Sequence, residues 1–318
     1  MSRNATRRLL LLIVLGIVVM LALLAFVDLD ELGAAFAGFT WAYIPLILGL
    51  TLVNYVFRFF KWEYYLRQLG IRLRVGKSVL IFLSGMTMSM TPARLGEVFK
   101  SYLIKQDDGT EMSRSIPIVF AERATDVIGL TLLAGIGLAS FRYGQGLLLA
   151  SLLIVAALVL LIRQRDLCTR LLGLVARVRV VRRYADNLNT MYLSAYHLFS
   201  WRSLLIAIGL SVTSWFFECV ALYFVIGGFG WEPSLLESTF VFSFSSVAGA
   251  LSMLPGGLGV AEGSIAGLLV LQGLPVALSV AATIVIRVCT LWFGMTIGAV
   301  ALAIFARTMG SETKEVEA

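Results

Sequence analysis

Apolar runs of membrane-crossing length alternate with short basic loops along most of the chain, and that rhythm predicts the elements. Residues 9–27 form a nearly unbroken apolar run behind Arg3, Arg7 and Arg8, long enough for a first span. Further spans are expected over 41–60, 116–140, 144–162, 203–226 and 275–305. Two stretches do not fit: residues 78–91 are too few to cross before Pro92, and 235–273 are interrupted at Pro255-Gly256-Gly257. Proline and glycine break the helical hydrogen-bond ladder, and lipid offers the freed backbone groups no partners. Both stretches therefore read as re-entrant hairpins whose breaks face protein or water. Thr91 is expected to cap, and Pro92 to open, the second arm of the first hairpin.

The two breaks are related in sequence. Ser89-Met90-Thr91-Pro92-Ala93-Arg94-Leu95-Gly96 and Ser252-Met253-Leu254-Pro255-Gly256-Gly257-Leu258-Gly259 share the pattern S-M-x-P-x-x-L-G, 163 positions apart. Each has a glutamate close behind, Glu97 or Glu262, and about thirty residues on an arginine within an apolar span, Arg123 or Arg287. Loop charge sets direction. The span 41–60 is expected to end at Arg58 and Lys61, at the head of an inside loop with Arg67, Arg72, Arg74 and Lys77, and Arg142 is the one basic residue placed outside. The first hairpin then opens from the cytosol and the second from the exterior, so 41–140 and 203–305 read as inverted copies. Between them, 163–202 is rich in arginine, and Leu167, Leu171, Leu174, Val178, Val181, Leu188 and Tyr192 recur at helical spacing, which suits an amphipathic helix on the inner leaflet. The fold class is all-α: a polytopic membrane protein of about six full transmembrane helices and two re-entrant helical hairpins in an inverted repeat, with one amphipathic cytosolic helix. Residues 1–307 form one membrane domain in the cell (inner) membrane with both termini cytosolic, and 308–318 an unstructured tail.

Composition supports the same class: 318 residues, 59% hydrophobic, 14% charged, mean hydropathy +0.91. The net charge of +7 lies in the loops, where it reports topology, so no nucleic-acid partner is expected. Cys168, Cys219 and Cys289 have no C-x-x-C spacing and His197 is the single histidine, so neither a metal nor another cofactor is expected, and the chain does not read as an enzyme.

The candidate chemistry is ionic. Arg94, Glu97, Glu122, Arg123 and Asp126 in the first half, and Glu218, Glu262 and Arg287 in the second, fall in apolar surroundings, and each set sums to minus one. A charge at the bilayer centre costs about 2.5–3.5 kcal/mol, which implies mutual pairing, as of Glu97 with Arg123 and Glu262 with Arg287, or a wet cavity. In such a cavity arginines suit a phosphate, and carboxylates a cationic headgroup or a coupling proton. The helix ends near Pro92 and Gly259 would add unpaired N–H groups, and Gly256, Gly257 and Gly259 would admit a close backbone approach, although kink geometry alone selects the same glycines.

Three ordered motifs, T-P-A-R-L-G-E at 91–97, E-R-A-T-D at 122–126 and L-P-G-G-L-G-V-A-E at 254–262, resemble those of the flippase-like, lysylphosphatidylglycerol synthase transmembrane-region family. The resemblance runs across the membrane domain. It implies a multi-pass membrane protein whose best-known relatives move aminoacylated phosphatidylglycerol between leaflets and carry a separate cytosolic aminoacyl-transferase domain. Without that domain before Ala318, it implies lipid handling without synthesis, on a phospholipid, an aminoacylated lipid, a hopanoid or a polyprenyl-phosphate-linked substrate. By motif, function is carried onto Pro92, Arg94, Glu97, Glu122, Arg123, Asp126, Pro255, Gly256, Gly257, Gly259 and Glu262, and the repeat adds Arg287. The expected function is lipid translocation. Its rivals are a membrane-embedded transferase using Glu97, Glu122 or Asp126 as general base, and a non-transporting partner of a cell-envelope lipid or glycan synthesis enzyme. Assembly as a homo-oligomer is left open.

Overall fold

A computed structural model describes residues 16, 18, 27–137, 145–164, 185–232 and 234–317. Their regular structure is helical throughout. The expected first span, apart from positions 16, 18 and 27, lies outside the described residues, as do Arg142 and 165–184 of the basic linker.

A short helix α1 (Leu29–Gly38), started by the Asp28 carboxylate accepting from the Asp30 N–H at 2.8 Å, precedes a 3-10 turn (Trp41–Tyr43) and α2 (Ile44–Gln68). Then come α3 (Val75–Met86), a 3-10 segment (Pro92–Val98), α4 (Phe99–Asp108) and α5 (Met112–Gly137). The middle of the chain holds α6 (Gln145–Arg163) and α7 (Ala185–Leu198). The second half has α8 (Trp201–Gly228), α9 (Leu235–Leu251), a 3-10 turn (Pro255–Gly257), α10 (Val260–Leu271) and α11 (Val276–Arg287). A π-helical turn (Val288–Trp292) joins α11 to α12 (Phe293–Glu317).

Among the described residues, four segments are long and apolar enough to cross a bilayer: Trp41–Gln68, Gln145–Arg163, Trp201–Gly228 and Val276–Met309. The protein is a helical polytopic membrane protein. Helix α5 has the length of a span, 26 residues, but carries Glu122, Arg123 and Asp126 along it. The arms α3 and α10, of 12 residues each, reach only roughly 18 Å, short of a hydrocarbon core of about 30 Å. In each hairpin the two arms, α3 with α4 and α9 with α10, pack against each other.

The order long helix, broken hairpin, long helix thus occurs twice, and the two sets interlock. Helix α2 packs along α8, α3 of the first set packs on α12 of the second, and α9 of the second packs on α5 of the first. The breaks themselves meet: Met90 lies in one apolar cluster with Leu258, Leu291 and Met295. Two larger cores flank this centre. One gathers Ile47, Leu133, Leu222, Phe240 and Leu269, the other Trp62, Tyr65, Ile81, Ile104 and Leu198.

Two expectations change. Helix α2 does not end near Arg58 and Lys61 but continues to Gln68, with both residues buried. A charge ends a span in sequence because it is costly in lipid; here the partners are supplied by other helices. Helix α12 also continues to Glu317, through the stretch expected to be an unstructured tail, whose Glu, Lys and Met are good helix formers and which has no proline. The described end of the basic linker, α7, is not free on a surface. It packs on α5, with Leu198 and Phe199 buried and the Tyr192 hydroxyl donating to the Ile162 carbonyl at 3.3 Å.

Candidate functional site

The polar interior begins with α2. Thr51, Asn54, Arg58 and Lys61, spaced three, four and three apart, share one helical face, and all four are buried. Asn54 donates through Nδ2 to the Ser214 carbonyl of α8 at 2.8 Å. Lys61 Nζ donates to Asp126 Oδ1 of α5 at 2.5 Å and to Ser211 Oγ of α8 at 2.7 Å. This stripe makes α2 a polar backing for the charges on α5.

From Lys61 a line of alternating charge runs through the molecule. Asp126 also faces Arg123 at 3.0 Å, Arg123 faces Glu97 at 3.4 Å, Glu97 lies 3.7 Å from Lys100, and Lys100 Nζ donates to Glu122 Oε2 at 2.5 Å. The Lys100 ammonium also sits 4.5 Å from the Trp62 ring centroid. Six buried or nearly buried groups, Lys61, Asp126, Arg123, Glu97, Lys100 and Glu122, thereby form a neutral ladder. In the low-dielectric interior each would be costly alone, and each has an opposite charge beside it.

The second hairpin carries its own neutral pair. Glu262, fully buried, accepts from the Gly259 N–H at 2.7 Å and from Arg287 Nε at 2.6 Å, while Arg287 Nη2 donates to the Gly256 carbonyl at 3.0 Å. Arg287 thus ties α11 to the break and to α10. The Gly259 N–H, expected to be open to a ligand, is taken by Glu262, which caps α10 from within.

The local backbone follows the repeat. Gly256 and Gly257 have φ of +63° and +68°, a region that glycine enters without cost. Arg94, 163 positions before Gly257, has φ +54°, so the first copy holds a side chain where the second has none. Pro92 opens its 3-10 segment and Pro255 its own, as the pattern predicts. Thr91 does bind the turn through its side chain, but further along than expected, with Oγ1 accepting from the Gly96 N–H at 2.7 Å.

Between the breaks lies a cavity of about 220 Å³. Of the residues singled out in the sequence, Arg94, Glu97, Arg123, Asp126, Gly256, Gly257 and Arg287 line it. Glu122, Glu262, Gly259 and Pro255 are not among its lining residues; the first two support it through Lys100 and Arg287. Arg58, Tyr55, Trp215 and Glu218 complete the polar wall.

Arg58, Tyr55, Lys61 and Lys100 were not singled out by motif, yet the three-four-three polar stripe on α2 and the three-residue spacing of Arg94, Glu97 and Lys100 are legible signals. Among the described residues neither Arg58 nor Arg94 forms an ion pair; Arg58 lies 5.6 Å from the Trp215 ring centroid. Glu218 is 2% exposed, and its Oε2 has no hydrogen-bond partner. The ladder and the Glu262–Arg287 pair are therefore charge-compensated within the protein, although Arg123 Nε and Nη2 and Asp126 Oδ2 make no hydrogen bond, while Arg58, Arg94 and Glu218 line the cavity without an ion pair among the described residues. Two guanidiniums of this kind offer the planar donor forks that phosphate oxygens accept.

The chain is 28% identical over 324 residues to a UPF0104 membrane protein of Methanothermobacter thermautotrophicus, covering 94% of each. It is 26% identical over 329 residues to another from the same organism, covering 95% of this chain and 97% of that one. A UPF0104 membrane protein of Methanocaldococcus jannaschii is 24% identical over 239 residues, 71% of this chain and 97% of the relative. The model of the lysylphosphatidylglycerol synthase TM region matches residues 11–298, nearly the whole length including both hairpins and every charged residue of the cavity, the ladder and the Glu262–Arg287 pair, and the chain belongs to that family.

Proposed function

We propose that the protein translocates a phosphate-bearing lipid headgroup between leaflets through the cavity between its two broken hairpins. The observation that carries this reading is the pair of arginines, Arg58 and Arg94, which line that cavity without carboxylate partners. Unpaired cations in a membrane interior are costly, and such residues mark substrate pathways.

The hairpins are re-entrant in this reading, the first from the cytosol and the second from outside, and the interlocking sets are inverted copies. Both termini are cytosolic in the same reading, which the distribution of basic loops supports. Breaks in helices at the membrane midplane, one from each copy, form the site around which alternating access is built. A headgroup enters the cavity and meets Arg58 and Arg94, while its tails remain in lipid. The neutral ladder behind it holds Arg123 and Glu97 in place and leaves the free arginines to the ligand.

Proteoliposomes with headgroup-labelled lipid test this reading. The wild-type protein moves label between leaflets, Arg58→Gln and Arg94→Gln lose that movement, and Leu153→Ala, on the exposed side of α6, keeps it. A folded wild-type protein that moves no lipid would refute the proposal. It would favour the alternative of a non-transporting partner for an envelope-synthesis enzyme.

A further inference from the structure

We infer that Glu218 is a proton-binding site, and that each headgroup crosses together with one proton, taken up at this carboxyl from water on one side and released to water on the other. This rests on the translocation reading above and adds a coupling ion to it.

The buried carboxylates are not treated alike. Asp126, Glu97, Glu122 and Glu262 each have a lysine or arginine within 3.4 Å. Glu218 lies well inside the span Trp201–Gly228, is as deeply buried as they are, and forms no ion pair among the described residues. It lines the cavity, and its Oε2 has no donor. A carboxyl in such a place is cheaper to hold as the neutral acid than as the anion.

Its surroundings make that proton sensitive to a ligand. Arg58 and Tyr55 of α2, Arg94 of the first break, Arg123 and Asp126 of α5 and Arg287 of α11 line the same cavity, and Cys289 of the π-helical turn lies nearby. Helix α9 brings no charge to it, since its ionisable residue Glu237 is in the first turn. The turn Trp41–Tyr43 meets the far end of α8 through Thr40 and Gly228, and His197 of α7 precedes its start. Arg123 is engaged by Asp126 and Arg287 by Glu262, which leaves Arg58 and Arg94 as the cations that act on Glu218. A phosphate that engages those two withdraws their support for the carboxylate and sets a like charge beside it. Phosphate binding therefore favours protonated Glu218, and by reciprocity protonation favours phosphate binding. The neutral acid also supplies a hydroxyl donor to a phosphate oxygen beside the two guanidinium forks. Where the cavity opens to water, the headgroup leaves, the carboxyl is hydrated, and the proton passes to water. A phosphodiester monoanion and one proton carry no net charge together, so the cycle builds no membrane potential.

The test uses proteoliposomes of the full chain with acyl-labelled phosphatidylglycerol in both leaflets, a pH gradient of about one unit imposed in either direction, and protein-free vesicles as background. Its phosphodiester has no second ionisation near neutrality, unlike a phosphomonoester with one at about pH 6, so the lipid itself brings no titrating proton. Label is expected to gather in the leaflet facing the alkaline compartment, up to about tenfold over the other for one proton per lipid, and to reverse with the gradient. Glu218→Gln keeps the shape and a donor but holds no exchangeable proton, and its label is expected to stay even under both gradients. A second readout needs no transport. In weakly buffered, mildly alkaline detergent solution, wild-type protein is expected to take up protons as short-chain phosphatidylglycerol binds, and Glu218→Gln to take up none per lipid bound. Even label under both gradients, from wild-type protein that exchanges lipid without a gradient, would overturn the inference while leaving translocation standing. So would a gradient response or a proton uptake that survives in full in Glu218→Gln. No exchange by the wild-type protein with or without a gradient would instead remove the translocation reading, and this inference with it.

Discussion

Arg94 is held in the left-handed backbone region, where a non-glycine residue costs about 1–2 kcal/mol, and its guanidinium lines the cavity. Its counterpart Gly257 takes the same conformation without that cost. The account therefore predicts opposite effects for Arg94→Gly: thermal stability holds or rises, and translocation is lost. Loss of stability with translocation retained would mean that the arginine serves the fold. The ladder behaves differently. Lys100→Met strands the Glu122 carboxylate in the interior and should lower stability by about 3–5 kcal/mol, whereas Lys100→Met with Glu122→Gln should recover most of it. Thermal unfolding of the two single variants and the double variant reads this coupling directly. At this scale the sequence was partly legible. Glu97 with Arg123 and Glu262 with Arg287 could be paired from their motifs, and both pairs form. Lys61 could not be matched to Asp126, because 65 positions separate them and only the packing of α2, α5 and α8 brings them together. The charge balance was misjudged for the same reason, since Arg58 and Lys61 looked like the end of a span.

At the scale of elements, the breaks were the most legible feature, because Pro92 and the Pro255-Gly256-Gly257 run cannot sit inside a continuous helix. Helix ends set by long-range partners were not, and α2 extends past Arg58 and Lys61 for that reason. Close approach between the two sets also depends on a residue that carries no hydrophobic signal. At Gly298 of α12, an added Cβ would lie 2.6 Å from the Thr87 backbone nitrogen and 2.9 Å from the Leu83 carbonyl oxygen. Backbone cannot yield as a flexible side chain can. Gly298→Ala is therefore expected to push α12 away from α3 and to cost about 1–3 kcal/mol. Gly263→Ala on α10, where nothing lies within 4 Å, should be neutral or stabilising in thermal unfolding. Equal effects at the two positions would mean that α12 and α3 are not tightly seated.

For the whole molecule, the reciprocal packing of α3 on α12 and α9 on α5 couples the two sets, and the breaks touch at their tips around Met90 and Leu258. If the headgroup passes between those tips, they must separate or slide during each cycle. The most direct measurement is translocation by Met90→Cys/Leu258→Cys, with Cys168, Cys219 and Cys289 replaced by alanine, before and after a short reducible thiol cross-link. The account predicts that transport of labelled phosphatidylglycerol stops when the tips are joined and returns in the same vesicles when reductant cleaves the link. Transport continuing at the same rate across joined tips would contradict the path proposed between the hairpins.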